Sequence, residues 1–224
     1  NLFAKNNMGR FFNFLFTTSL GAAGYLYYAG AFKSMNIHTT SLGYREAFYR
    51  PFQGSFEKDI YPAFHAVMKD MKQLEEKQKS DKIENVNSFG IYYDNPDDLK
   101  DRAKCRADIG FTFNNKGLDD AAREELKKSY EEKGYQYTTF KTTDALHENF
   151  AIKYPMWVSF WIASYKWYPA AKKRLFENGT LAKLSKGVEY GFIEVYENGN
   201  IEFYGPLEHF EDFHLTKFPT PERK

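Results

Sequence analysis

The stretch YGFIEVYENGNIEFYGP, Tyr190–Pro206, decides the fold. Two apolar-rich runs, FIEVY and IEFYG, flank Asn198-Gly199, a pair that tolerates the positive φ angles of a tight hairpin turn. Period-two alternation puts Ile193 and Val195 on one face of the first run and Phe192, Glu194 and Tyr196 on the other. The second face therefore places a carboxylate among aromatic rings.

Working outward from this hairpin, Met156–Phe176 reads as a long amphipathic helix carrying Trp157, Phe160, Trp161, Tyr165 and Trp167. Lys166 and the Lys172–Arg174 cluster interrupt its apolar run too early for a membrane span. Leu118–Lys133 is a well-signalled helix, with Asp119 and Asp120 in its first turn, lysines towards its end and Gly134 as its cap. Phe56, Ile60, Phe64, Val67, Met71 and Leu74 recur at helical spacing and predict a helix over Phe56–Gln78, kinked by Pro62. Asn36–Leu42, Ser88–Tyr93, Lys104–Phe113, Tyr135–Lys141 and Glu148–Lys153 are the remaining strand candidates. Between the second and third of these, Asp94-Asn95-Pro96 opens a charged connector and reads as a strand-ending turn. The layout is α+β, a mostly antiparallel sheet with helices packed on one face.

Composition bounds the function. The 224 residues carry Lys+Arg 31 against Asp+Glu 30, a net charge of +1, which gives no bulk attraction to nucleic acid. Aromatic residues reach 19%, enough to fill a core and also face lipid or a partner. The single cysteine, Cys105, cannot form an intrachain disulfide and is read as a small buried side chain between outward-facing Lys104 and Arg106. His209 and His214 stand near Glu208, Glu211 and Asp212 without metal-ligand spacing, and the segment is expected to be a surface tail. No phosphate loop, dinucleotide fingerprint or triad spacing is present. Neither a metal, a cofactor nor a catalytic residue is therefore expected. Asn178-Gly179-Thr180 is a glycosylation sequon if this face is luminal.

At the front, Phe11–Phe32 carries no charge. As a helix at about 1.5 Å per residue it reaches about 33 Å, the thickness of a hydrocarbon core. Arg10 and Lys33 bracket it, and Tyr25, Tyr27 and Tyr28 gather near its end as interfacial aromatics do. The expected organisation is an N-terminal flank over 1–10, a transmembrane helix over 11–33, a folded domain over 34–208 and a C-terminal tail over 209–224. The opening Asn implies either a removed targeting segment or residues preceding those given.

The runs SFGIYYDNPDDLKDRAKCRADIGF (Ser88–Phe111), FKTTDALHENFAIKYPMWVSFWIASYKWYPAAKKRLFENG (Phe140–Gly179) and YGFIEVYENGNIEFYGPL (Tyr190–Leu207) resemble the GyrI-like, or bacterial transcription activator effector-binding, domain family. The likeness spans Asn36–Leu207. The order of anchor, YYDNP, KCR and IEVY is similar to the membrane-anchored, ER-phagy-receptor type of this domain, whose long acidic tail has no counterpart in this sequence. The resemblance implies two strand–helix–strand–strand modules with a concave groove between them. In bacterial relatives the groove binds small cationic or aromatic molecules, and some relatives are hydrolases. Carried over by position, Glu194 and Tyr196 floor the groove, with Trp157, Trp161, Tyr92 and Tyr93 as aromatic walls.

The expected protein is a non-catalytic, single-pass membrane protein, an accessory or scaffold subunit of a larger complex, with the mitochondrial inner membrane favoured over the endoplasmic reticulum. Its expected partners are the lipid bilayer and other membrane-complex subunits, met through the transmembrane helix and aromatic surfaces. A small aromatic or cationic ligand is a further expectation; nucleic acid is not. The alternatives are an ER-phagy-receptor-like protein and a small-molecule sensor or hydrolase using the groove.

Overall fold

The computed structural model describes residues 19–78, 82–183 and 189–224. A helical stretch over 19–28 (α1) precedes strands β1 His38–Leu42 and β2 Arg45–Gly54, helix α2 Ile60–Gln78, and strands β3 Ile83–Tyr92 and β4 Cys105–Asn115. Helix α3 Asp120–Glu131 and β5 Gln136–Phe140 follow. Then come β6 Thr143–Ala151, α4 Met156–Glu177, β7 Phe192–Glu197 and β8 Asn200–Pro206.

The strands join in one antiparallel sheet ordered β1-β6-β8-β7-β3-β4-β2-β5. That order contains a duplication. β2-α2-β3-β4 and β6-α4-β7-β8 are each strand–helix–strand–strand, each places its last strand in the middle, and the two halves meet where β3 pairs with β7. The α+β layout with two such modules is the observed architecture. The hairpin turns on Asn198 and Gly199, at φ 51° and 76°, and the register pairs Glu194 with Phe203.

Alternation along the strands builds a core on each face. Phe48, Phe111 and Phe113 pack under α2 and α3, while Phe150, Ile201 and Phe203 pack under α1 and α4. The opposite face carries Phe89, Ile91, Ile193 and Val195. Residues 209–224 cover it: Phe213 is buried there, Leu215 and Phe218 pack beside it, and Arg223 bridges to Leu99. β4 is consequently buried on both faces from Cys105 to Phe113.

Several sequence expectations are corrected. β2 was not expected, because Arg50, Pro51 and Gln53 interrupt its apolar pattern. Pro51 is tolerated because β5 stops opposite Tyr49, leaving one side of β2 without a ladder partner from there on. α2 begins at Ile60 rather than Phe56, so Pro62 falls in the first turn, where its missing N–H breaks no intrahelical bond and forces no kink. β3 and β6 both start earlier than their apolar runs.

Arg106 points inward rather than outward. It is 1% exposed and forms a two-pronged pair with Asp94, with Glu189 as a further partner. Asn95 bonds the Asp97 amide, as the strand-ending turn requires.

The proposed transmembrane segment 11–33 lies partly outside the described residues. Its described part is helical only over 19–28 and turns at 29–32, and no helix of the described residues is long and apolar enough to cross a membrane. The end of this segment packs on the domain. Ala29 is buried against the α4 core, and Gly30 adopts φ 86° with the Phe150 ring directly against it. Lys166 of α4 donates its ammonium to the carbonyls of Gly30, Ala31 and Lys33, tying the turn that follows the helix to α4.

Candidate functional site

The junction of the two modules holds a carboxylate. Period-two alternation turns Glu194 of β7 towards the helices, and the strand pairing sets it opposite Gly90 of β3. Glu194 is 5% exposed. Tyr168 of α4 donates its hydroxyl to Glu194 Oε1 at 2.6 Å, and Tyr196 donates to Oε2 at 2.6 Å. Tyr92 of β3 lies 3.0 Å from the Tyr196 hydroxyl. Since the Tyr196 proton is committed to Glu194, Tyr92 is the donor in that pair. The result is a chain of donors, Tyr92 to Tyr196 to Glu194, met from the other side by Tyr168.

Aromatic rings enclose the chain of hydroxyls. Phe64 of α2 and Phe160 of α4 both meet the Tyr196 ring edge-on, at centroid distances of 5.4 and 5.8 Å. Phe56 packs edge-on against Tyr92, and Phe192 against Tyr168. Such T-shaped contacts satisfy the ring quadrupoles, and the rings that make them are half-buried around the buried carboxylate.

Burial raises the Glu194 carboxyl above its ordinary pKa, and the Tyr168 and Tyr196 bonds hold the rise back. The same burial, and next the nearby Glu194 charge, push the hydroxyls of Tyr92, Tyr168 and Tyr196 far up. They are donors at any physiological pH. Each Glu194 oxygen accepts one tyrosine hydroxyl and keeps a further lone pair, so the carboxylate retains acceptor capacity towards a cation.

The structure thus brings Glu194, Tyr196 and Tyr92 together and places the other sequence candidates elsewhere. Tyr93, one residue along β3, faces the opposite side of the sheet, because successive strand residues alternate. There its hydroxyl lies 2.7 Å from Asp108 Oδ2 and accepts from the Leu215 amide at 3.2 Å, fastening the C-terminal segment. Trp157 and Trp161 lie on α4 but turn outward, 71% and 62% exposed. Phe160 and Tyr168 of the same helix reach the carboxylate instead: Phe160 meets the Tyr196 ring, and Tyr168, directly before Pro169, bonds Glu194.

Sequence reasoning missed Tyr168, Phe64, Phe160 and Gly90. Gly90 had no signal in the sequence: a Cβ there would stand 2.8 Å from the Tyr92 ring, so glycine is what lets Tyr92 lean across to Tyr196. Among the described residues no cluster of His, Cys, Asp and Glu could hold a metal ion.

No protein-family profile and no curated protein matches the chain. Solved structures similar to it include an EcmrR–DNA complex, 11% identical, covering 84% of this chain and 64% of that one at a TM-score of 0.46. A hydrolase from Listeria innocua is 8% identical, covering 77% of this chain and 92% of its own, at 0.48. The protein SAV2435 bound to tetraphenylphosphonium is 11% identical, covering 80% of this chain and 98% of that one, at 0.41.

Proposed function

We propose that this chain is a non-catalytic GyrI-like domain held at a membrane by its apolar N-terminal segment, serving as an accessory or scaffold subunit of a larger membrane assembly. One observation carries the reading: both oxygens of the buried groove carboxylate accept hydrogen bonds from the protein's own tyrosines, beside half-buried rings. The residues that would receive a ligand instead stabilise the junction between the modules. Work by contact then falls to the surface, where large aromatics are exposed.

Native purification from membranes tests this. A stoichiometric complex of defined partners is the expected result, and the partners also identify the membrane. A lone chain that captures autophagy modifiers would replace the scaffold with an ER-phagy-receptor role.

The same chamber supports a second reading, since one carboxylate ringed by aromatics suits a cationic aromatic guest once Tyr168 and Tyr196 swing aside. Tetraphenylphosphonium, a cation carrying four phenyl rings, is a suitable probe. Calorimetric titration that finds binding in the wild type and its loss in Glu194→Gln would establish this reading; no heat in either leaves the chamber structural.

A further inference from the structure

The outer face of α4 is unlike the rest of the surface. Trp157, Trp161 and Tyr165 follow one another at four-residue spacing, all exposed, with the rings of Trp161 and Tyr165 stacked at a centroid distance of 5.7 Å. Tyr154, just before the helix, Met156, its first residue, and Phe176, beyond Pro169, are exposed as well. Contiguous apolar surface of this kind marks an interaction site.

Two observations say what covers it. The first is charge. Beyond Lys166, whose ammonium is bonded to the 30–33 backbone, α4 carries Lys172, Lys173 and Arg174 against a single acid, Glu177, at its last position. A protein-facing patch has no need of a one-sided cationic border, whereas an anionic bilayer surface attracts it. Indole and phenol rings with nearby lysines are also the residues that settle at the headgroup level.

The second is continuity with α1. Lys166 grips the backbone at 30–33, and the Lys153 ammonium lies 5.4 Å from the centre of the Tyr28 ring. The exposed rings of Tyr27, Tyr28 and Phe32 thereby stand on or beside a helix end that is fixed to α4.

We infer that the outer face of α4, together with the aromatic end of α1, lies on an anionic lipid bilayer, with Trp157, Trp161 and Tyr165 seated among the headgroups. The domain then rests flat on the membrane instead of swinging from a tether, which fixes the orientation of its remaining surface towards partners. The inference deepens the membrane reading above and rests on it.

The experiment separates the two. The full chain is reconstituted with phosphatidylcholine–phosphatidylglycerol vesicles whose acyl chains are brominated, and flotation and tryptophan emission are both recorded. Flotation reports attachment. Emission reports this face, because Trp157 and Trp161 are exposed and the third tryptophan, Trp167, is buried in the core.

The expected result is flotation with emission lowered roughly twofold, since interfacial helices seat their apolar face about 5–10 Å into the headgroup and acyl boundary. A W157F/W161F variant is expected to float with its remaining Trp167 emission unquenched. Flotation of the wild type without quenching leaves the membrane reading standing and overturns the docking face, returning the patch to a protein partner. Failure to float overturns both.

Discussion

Asp94 and Arg106 form a two-pronged pair sealed from water: Nε and Nη2 of the arginine each donate at 2.8 Å to the two carboxylate oxygens, and the side chains are 0% and 1% exposed. The pair closes the β3–β4 connector and lies under the C-terminal segment, where Arg223 and Glu189 join it. Asp94→Ala leaves a buried guanidinium short of its main partner. Breaking one side of such a pair costs about 3–5 kcal/mol, so the urea midpoint is expected to fall by that equivalent. A loss below about 1 kcal/mol, the range of an exposed pair, would show that water reaches Arg106.

Glu194 sets a pH dependence. Its folded pKa is raised by burial above an unfolded value of about 4.3, so between the two the folded state holds more protons. The stability it contributes is fully present below about pH 4.3 and is lost as pH rises through the folded pKa. Glu194→Gln is expected to flatten this part of the stability–pH curve. Tyr168→Phe removes a bond that holds the pKa down, so the decline is expected to extend to higher pH, with a loss of about 1–3 kcal/mol for the unsatisfied oxygen. Denaturant titrations at a series of pH values measure both effects, and identical curves for the wild type and Glu194→Gln would contradict the buried network.

The period-two and helical patterns carried most of the fold in legible form. The β7–β8 hairpin, its alternation and helices α3 and α4 were readable because each is local: a turn pair, a capping pattern, a repeat. β2 was hidden, because Arg50 and Pro51 fit only a strand that loses one neighbour partway along, a property of the sheet and not of the segment. Arg106 misled for the same reason. Its burial depends on Asp94, twelve residues away, and on Glu189, which no local rule connects to it. Within the site, Glu194 and Tyr196 were visible from alternation. Tyr168 was not, because its place depends on how α4 is rotated against the sheet, and the exposed tryptophans drew the eye to the wrong face.

Gly90 makes the Tyr92–Tyr196 link possible. With a Cβ at Gly90 the Tyr92 ring must move, as the two would stand 2.8 Å apart. Gly90→Ala is expected to cost about 1–3 kcal/mol, the range for overpacking a core. In a Tyr92→Ala background the added methyl meets open space, and its penalty is expected to disappear. The double-mutant cycle isolates that coupling. An undiminished penalty in the double variant would place the strain elsewhere in β3.

Cys105 supplies a chemical readout of the same region. It is fully buried where β4 begins, and burial, followed by the adjacent Asp94 charge, pushes its thiol up to about 11. Only the thiolate reacts readily with disulfide reagents, so both access and ionisation oppose labelling of the folded chain. An aromatic disulfide reagent is expected to leave Cys105 intact in native buffer and to modify it completely in denaturant. Asp94→Ala removes the charge that disfavours the thiolate and also destabilises the fold, and both effects act in one direction, so labelling of this variant in native buffer is expected to accelerate. Rapid modification of the wild type would mean that the connector over Cys105 opens far more readily than a sealed Asp94–Arg106 pair permits.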